Sequence, residues 1–335
     1  MENVFKVKFL VDLGTPKEVL FNTVIAEELM LRGHDVIFTT RKYRETNDLI
    51  NHFNIPAKIV GKHGTTLETK FDYGIERILK LRKYLKKQGK IDGLISLCNP
   101  ECCKLAFGLG IQIYNFIDVP EANKVCKLTL PLSTVVFTPF HVSDDQISKF
   151  WSGERFVYDC LDPVAWMSGM IPSERLLLDD LGTDVKYPFV IYRRGETRAT
   201  YYQDLHKPDI TDMIVTELKK QYPDGLFYEV SRYNGHRMVN LQNMLYFADL
   251  FIGGGGTINI ESAYWGTWTM SCRPFSTTYD DWLNVTGNQY HVSSVSEGVE
   301  TANMLLDKID KNPESEAIQT MEFPVIDIVN RIVEG

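Results

Sequence analysis

The chain has 335 residues, 44% hydrophobic and 24% charged, which is the composition of a folded protein and length enough for two domains of about 150 residues. Its 36 Lys and Arg against 44 Asp and Glu leave a net charge of -8, which argues against nucleic acid as a partner. No apolar run approaches the roughly 20 residues of a membrane span, and Met1 to Leu10 lacks the uninterrupted apolar core of a signal peptide. The expected location is cytoplasmic, with room for peripheral contact with a membrane.

In chain order, Val4 to Leu13 reads as a strand, Lys17 to Arg32 as a helix, and Asp35 to Thr40 as a second strand, which together make a βαβ unit. The rhythm repeats: helix Tyr43 to Phe53, strand Ala57 to Val60, long helix Leu67 to Gln88, strand Asp92 to Leu97, helix Pro100 to Gly108. Strands beginning at Ile111 and spanning Thr134 to Pro139 follow. Between Phe150 and Tyr187, Asp162-Pro163, Ile171-Pro172 and Gly182 punctuate irregular sequence. Strands return at Pro188 to Arg194, Gly225, Asp249 and Thr267, with helices between them. Such alternation predicts an α/β fold of two Rossmann-like, doubly wound parallel-sheet domains facing a cleft. The expected division is 1–160, 161–320, and a C-terminal helix over 321–335 that can pack back on the first domain.

Ligands in such sheets sit at the carboxyl ends of strands, so the turns there hold the candidate residues. The most distinctive is "DLFIGGGGTINIES", in which Gly253, Gly254, Gly255 and Gly256 leave a strand and Thr257 is placed to cap the next helix. Glycine N–H groups beside a helix N-terminus suit a phosphate or diphosphate, although a tight turn also favours glycine. With Thr257 as cap, Glu261 falls at the fourth helical position. It would point past the phosphate to a ribose diol, and a nucleotide-sugar offers both groups. "YRRGETRATYY" supplies Arg193 and Arg194 as a diphosphate clamp, and Arg232 is a further candidate.

In the first half, Thr15 is placed to cap the helix of "DLGTPKEV" with Pro16 in its first position. Glu18, or Asp12 at the strand end, could take a proton from an acceptor. Asp118 and Glu121 of "FIDVPEAN" are further acids at a strand exit. Each is equally readable as an ordinary loop or first-turn acid. "GIERILKLRKYLKKQGK" is a basic helix whose apolar stripe, Ile75, Ile78, Leu79, Leu81 and Leu85, could lie on the sheet or on an anionic membrane.

No G-x-G-x-x-G or P-loop spacing occurs. No Asp-x-Asp triplet is present to hold a divalent metal, so a metal-independent donor site is expected, with no cofactor beyond the nucleotide-sugar itself. The six cysteines, at 98, 102, 103, 126, 160 and 272, show no C-x-x-C pair and read as reduced thiols.

"ADLFIGGGGTINIESAYWGT", with "VDLGTPKEV", "TTRKYRET", "VGKHG" and "LTLPLSTVVFTP", resembles the domain-of-unknown-function 354 family, predicted glycosyltransferases of the GT-B superfamily. The similarity runs from about Lys6 to Asn284. It implies a GT-B glycosyltransferase, of the hexosyltransferase class, acting in polysaccharide or glycan biosynthesis. The nucleotide-sugar, UDP-linked, would be held mainly by the second domain, and Glu261 matches a ribose-binding glutamate of the related N-acetylglucosaminyltransferase. Family members tend to carry His where Glu18 stands, and Ser262 and Trp268 replace an alanine and a proline of the usual pattern. The acceptor would be a small molecule, a glycan or a lipid-linked hydroxyl. Two other activities remain open: a non-hydrolysing UDP-N-acetylglucosamine 2-epimerase, which shares the fold, and a nucleotide-sugar-binding protein without turnover. Gly14 to Glu18 lacks the arginine that epimerases carry before the proline.

Overall fold

The computed structural model describes residues 6–195, 209–230 and 240–334. The chain divides into two compact units, one of Met1–Ala165 with Phe323–Gly335, the other Trp166–Glu322.

The first unit is built on seven parallel strands: β1 (Lys8–Asp12), β2 (Asp35–Lys42), β3 (Lys58–Lys62), β4 (Gly93–Ser96), β5 (Gln112–Phe116), β6 (Val135–Pro139) and β7 (Glu154–Tyr158). Their spatial order is β3-β2-β1-β4-β5-β6-β7, with Leu10 facing Ile37 on one side and Leu94 on the other. The order reverses between β1 and β4, and the carboxyl ends of those strands are where doubly wound sheets take their ligands. Helices α1 (Pro16–Leu31), α2 (Arg44–His52), α3 (Leu67–Leu85) and α4 (Pro100–Gly108) provide crossovers. α3 and α4 cover one face, where Leu81, Leu85, Cys102 and Cys103 pack on Leu10, Val60 and Leu94. Each such aliphatic side chain contributes about 1.5–3 kcal/mol by burial. β7 lies inside the stretch expected to be irregular. It is an edge strand paired with β6, and its outer residues are solvated, which weakens any apolar pattern.

The C-terminal segment belongs to this unit. Phe323 meets Phe21 and Tyr158 edge-on, at 5.3 and 5.8 Å between ring centres. In the helix Val325–Glu334, Asn330 accepts from Arg32 at 2.6 Å.

The second unit holds five parallel strands, β8 (Phe189–Arg193), β9 (Leu226–Glu229), β10 (Leu250–Gly253), β11 (Trp268–Ser271) and β12 (Tyr290–His291), in the order β12-β11-β10-β8-β9. Its central strands β8, β10 and β11 are buried almost throughout, as expected where helices cover both faces of a parallel sheet. The reversal of order falls between β8 and β10. The exits of those two strands are the Arg193 turn and the glycine run.

Candidate nucleotide-sugar site

Gly253 ends β10, in register with Arg193 on β8 and Ser271 on β11. A Cβ there would stand 2.6 Å from the Phe251 ring and 2.8 Å from Asn259 Oδ1. The Gly254 N–H donates to the Arg193 carbonyl at 3.0 Å, and a Cβ on Gly254 would come within 2.3 Å of Gly195 Cα. The two turns at the switch point therefore interlock backbone to backbone. Gly255 has φ +82° and would collide with the Arg273 guanidinium, at 2.2 Å from Nε. Gly256, at φ +108°, has nothing within 4 Å of its Cβ position. Three of the four glycines are thus demanded by the protein's own packing, and Gly256 alone faces open space.

Gly256, not Thr257, is the N-cap: Thr257 is the first residue of the helix Thr257–Tyr264, and Glu261 is its fifth residue rather than its fourth. The positive φ of Gly256 decides this, because L side chains rarely take that conformation.

Glu261 is buried. Its Oε1 accepts from Trp166 Nε1–H at 2.8 Å and from Gln242 Nε2–H at 2.9 Å. Burial raises its carboxyl above the usual range, while these two bonds and the charge of Arg193 act in the opposite sense. Arg193 therefore shares the electrostatic environment of Glu261. Arg194 is half exposed and turns to other acids, Asp212 at 2.8 Å and Glu229 at 3.5 Å. Arg232 lies outside the described residues.

Three residues of this site escape sequence reasoning: Trp166, Gln242 and Arg273. Arg273 leaves β11 at its carboxyl end and is buried. Its Nη1 donates to Asp280 Oδ2 at 2.6 Å and to Thr277 Oγ1 at 3.2 Å, between the rings of Phe275 and Tyr279. An arginine directly after a predicted strand was the only signal available. Trp166 and Gln242 had none, being 95 and 19 residues from Glu261.

In the first unit, Thr15 caps α1 by accepting the Glu18 N–H at 3.3 Å, with Pro16 in the first position, as the sequence predicts. Asp12 is wholly buried. Its Oδ1 accepts from Arg77 Nη2 at 2.6 Å and Thr39 Oγ1 at 2.7 Å, and its Oδ2 from Asn99 Nδ2 at 3.2 Å. That arrangement ties β1, β2, α3 and the start of α4 together, a structural anchor rather than a free acid. Glu18 is buried beside it. A Cβ on Gly14 would stand 3.1 Å from Glu18 Oε2 and 3.5 Å from Asp12 Oδ2, so both acids lie close to the bare backbone of this turn. Burial, then the charge of Asp12, pushes the Glu18 carboxyl up to about 8, against Arg41 and Arg77.

Asp118 is ion-paired with Lys17, which also binds Asp162 at 2.8 Å. Burial alone would lower the Lys17 pKa, but the two acids outweigh it and raise it. Tyr158 donates its hydroxyl to Asp162 at 2.5 Å. His141 feels both Asp118 and Lys17, and burial brings its pKa down to about 4, so the ring is neutral at pH 7. The structure therefore brings Asp118 to Lys17 and Asp162. Glu121 instead accepts from Gln146 at 3.5 Å. Among the described residues, no three His, Cys, Asp or Glu side chains gather as a metal site.

Two parallel α/β units with turns of this kind define a GT-B architecture, and solved structures agree. The chain is similar to the UDP-GlcNAc 2-epimerase of Neisseria meningitidis bound to UDP-GlcNAc, with a TM-score of 0.75 at 17% identity, over 98% of this chain and 99% of that one. It is similar to the Methanocaldococcus jannaschii UDP-GlcNAc 2-epimerase in complex with UDP-GlcNAc and UDP, with a TM-score of 0.72 at 14% identity, covering 98% and 100%. A spinosyn forosaminyltransferase aligns with a TM-score of 0.63 at 10% identity, covering 98% and 99%. The chain belongs to the family described as a protein of unknown function, DUF354, which it matches over residues 7–335. An uncharacterized protein of Methanocaldococcus jannaschii is 26% identical over 281 residues, 79% of this chain and 81% of that protein.

Proposed function

We propose that this protein is a GT-B glycosyltransferase that moves a sugar from a nucleotide diphosphate, UDP-linked, to a hydroxyl acceptor without a metal ion. The observation that carries the reading is the helix Thr257–Tyr264, which follows the one glycine of the run with open space and carries the buried, oriented Glu261 on its second turn. Amides of Gly255 to Thr257 and the positive end of that helix suit a diphosphate, with Arg193 and Arg273 as fixed cations beside it. Glu261 would hold the ribose diol, its carboxylate already aimed by Trp166 and Gln242.

Glu18 is the candidate base for the acceptor hydroxyl. A carboxyl near 8 sits close to working pH, where proton transfer is most effective. Leaving-group charge would be stabilised by the amides and arginines. The second reading, a UDP-GlcNAc 2-epimerase, is favoured by the likeness to the solved epimerases and by the acids clustered on the first sheet. Thr15, where an arginine would precede the proline, speaks against it.

Incubation with UDP-GlcNAc and related nucleotide-sugars separates these. Release of UDP with transfer to acceptor or water supports the transferase, and an isomerised sugar supports the epimerase. Thermal stabilisation with neither product leaves a binding protein. No shift with any nucleotide-sugar or with UDP would end the proposal.

A further inference from the structure

α3 is a 19-residue helix with two distinct sides. Gly74, Arg77, Leu81 and Leu85 face the first unit's core, and Ile78 packs partly against it. Of the apolar stripe expected from the sequence, Ile75 and Leu79 point away. They join Leu67 and Phe71 in a row at intervals of four residues, with exposures of 61% at Leu67, 68% at Phe71, 45% at Ile75 and 64% at Leu79. The cost of leaving such side chains in water needs an explanation, and single exposed residues do not form rows of this kind.

Beyond Leu79 the same helix turns basic. Arg82 and Lys83 on the helix and Lys86 and Lys87 just past its end are all exposed, Lys90 follows, ion-paired with Asp92 at 2.7 Å, and no acid occurs between Arg77 and Ile91 in a chain of net charge -8. The acids of the helix, Glu68, Asp72 and Glu76, lie in its first half, and Glu76 is paired with Lys80 at 2.6 Å. An apolar row beside a dense cationic end is complementary to a surface that is negative outside and apolar beneath. Among the described residues no helix is long and apolar enough to cross a membrane, so contact would be from the side. Leu67 stands at the end of the turn that leaves the carboxyl end of β3, the same end of the sheet as Glu18 and Asp118.

We propose that α3 docks the protein on an anionic lipid surface, with Leu67, Phe71, Ile75 and Leu79 entering the headgroup region and the Arg82 to Lys87 cluster binding phosphate groups. The lipid surface would present a lipid-linked hydroxyl to the first unit, a refinement that rests on the transferase reading. Docking itself does not.

The full chain is sedimented with vesicles of phosphatidylcholine alone and of phosphatidylcholine and phosphatidylglycerol in equal parts. Binding is expected only to the anionic vesicles and is expected to fall with salt. Phe71→Ser with Leu79→Ser, and separately Lys83→Glu with Lys86→Glu, should each weaken it by about tenfold or more, while Ile309→Ser in the other unit should not. Because these side chains are exposed, the melting temperature should hold. Wild-type protein that stays in the supernatant, or variants that bind as it does, would overturn the proposal. So would a dimer in sedimentation that the Phe71 variant dissolves, which assigns the row to a second copy. UDP binding measured on the same samples keeps the two readings apart: lipid binding without UDP binding removes only the transferase.

Discussion

The Arg273 guanidinium lies directly against the Cα of Gly255, so close that a methyl group there would come within 2.2 Å of Nε. A glycine run that reads as a bare phosphate cradle is thus partly a seat for a buried cation. Arg273 needs that seat because its other side is held by Asp280. Gly255→Ala should therefore disturb both the positive φ and the arginine, costing about 1–3 kcal/mol in stability and weakening UDP by more than tenfold. Gly256→Ala meets no neighbour and should suffer the backbone strain alone. Calorimetry with UDP and thermal melts distinguish the two.

Removing Arg273 while leaving Asp280 takes the cation from a buried carboxylate that keeps only its bonds from Thr277 and Gln289. Arg273→Met should destabilise by about 3–5 kcal/mol, and adding Asp280→Leu should recover much of it. Denaturant titration of the two variants tests this, and equal losses would show that the pair is not coupled.

Glu261→Ala should weaken UDP by about tenfold or more. Trp166→Phe removes one hydrogen bond to the carboxylate and keeps the ring, so a smaller loss is expected, about 1 kcal/mol or some fivefold. Equal affinity for wild type and Glu261→Ala, read by calorimetry, would withdraw the ribose role.

Glu18 carries a pH signature. Its carboxyl moves from an ordinary 4.5 to about 8 on folding, so the folded protein keeps a proton that the unfolded chain releases. That stabilisation is complete below 4.5 and is lost as pH climbs through 8. Glu18→Gln should flatten this dependence and melt higher than wild type above pH 8. If Glu18 is the base, kcat/KM rises on a limb near pH 8 in wild type, and the limb disappears in the variant with donor binding intact.

Lys17 joins Asp118 to Asp162. Lys17→Met would leave two acids facing each other without a cation and should cost about 3 kcal/mol, more at high pH than at low. A melt unchanged between pH 5 and 9 would contradict that coupling.

The strand and helix sequence of both sheets was legible because buried parallel strands such as Phe189 to Arg193 are continuous apolar runs between turn residues. β7 was not, since an edge strand reading Glu-Arg-Phe-Val-Tyr needs apolar cover on little of its surface. Site residues next to a strand exit, such as Glu18, Glu261 and the glycines, stood out by position. Their partners did not: Arg77 reaches Asp12 across 65 residues, and nothing local to either records it.

By itself the sequence determined which turns leave the strands and which acids and glycines stand on them, because backbone conformation and hydrophobic period are local properties. Only the tertiary structure decided what those residues do to one another. It turned Asp12 into an anchor, lifted Glu18 toward neutrality, laid Arg273 over Gly255 and left Gly256 open. Such effects depend on burial and on charges brought together from distant segments, and those exist only once the sheets have closed their cores.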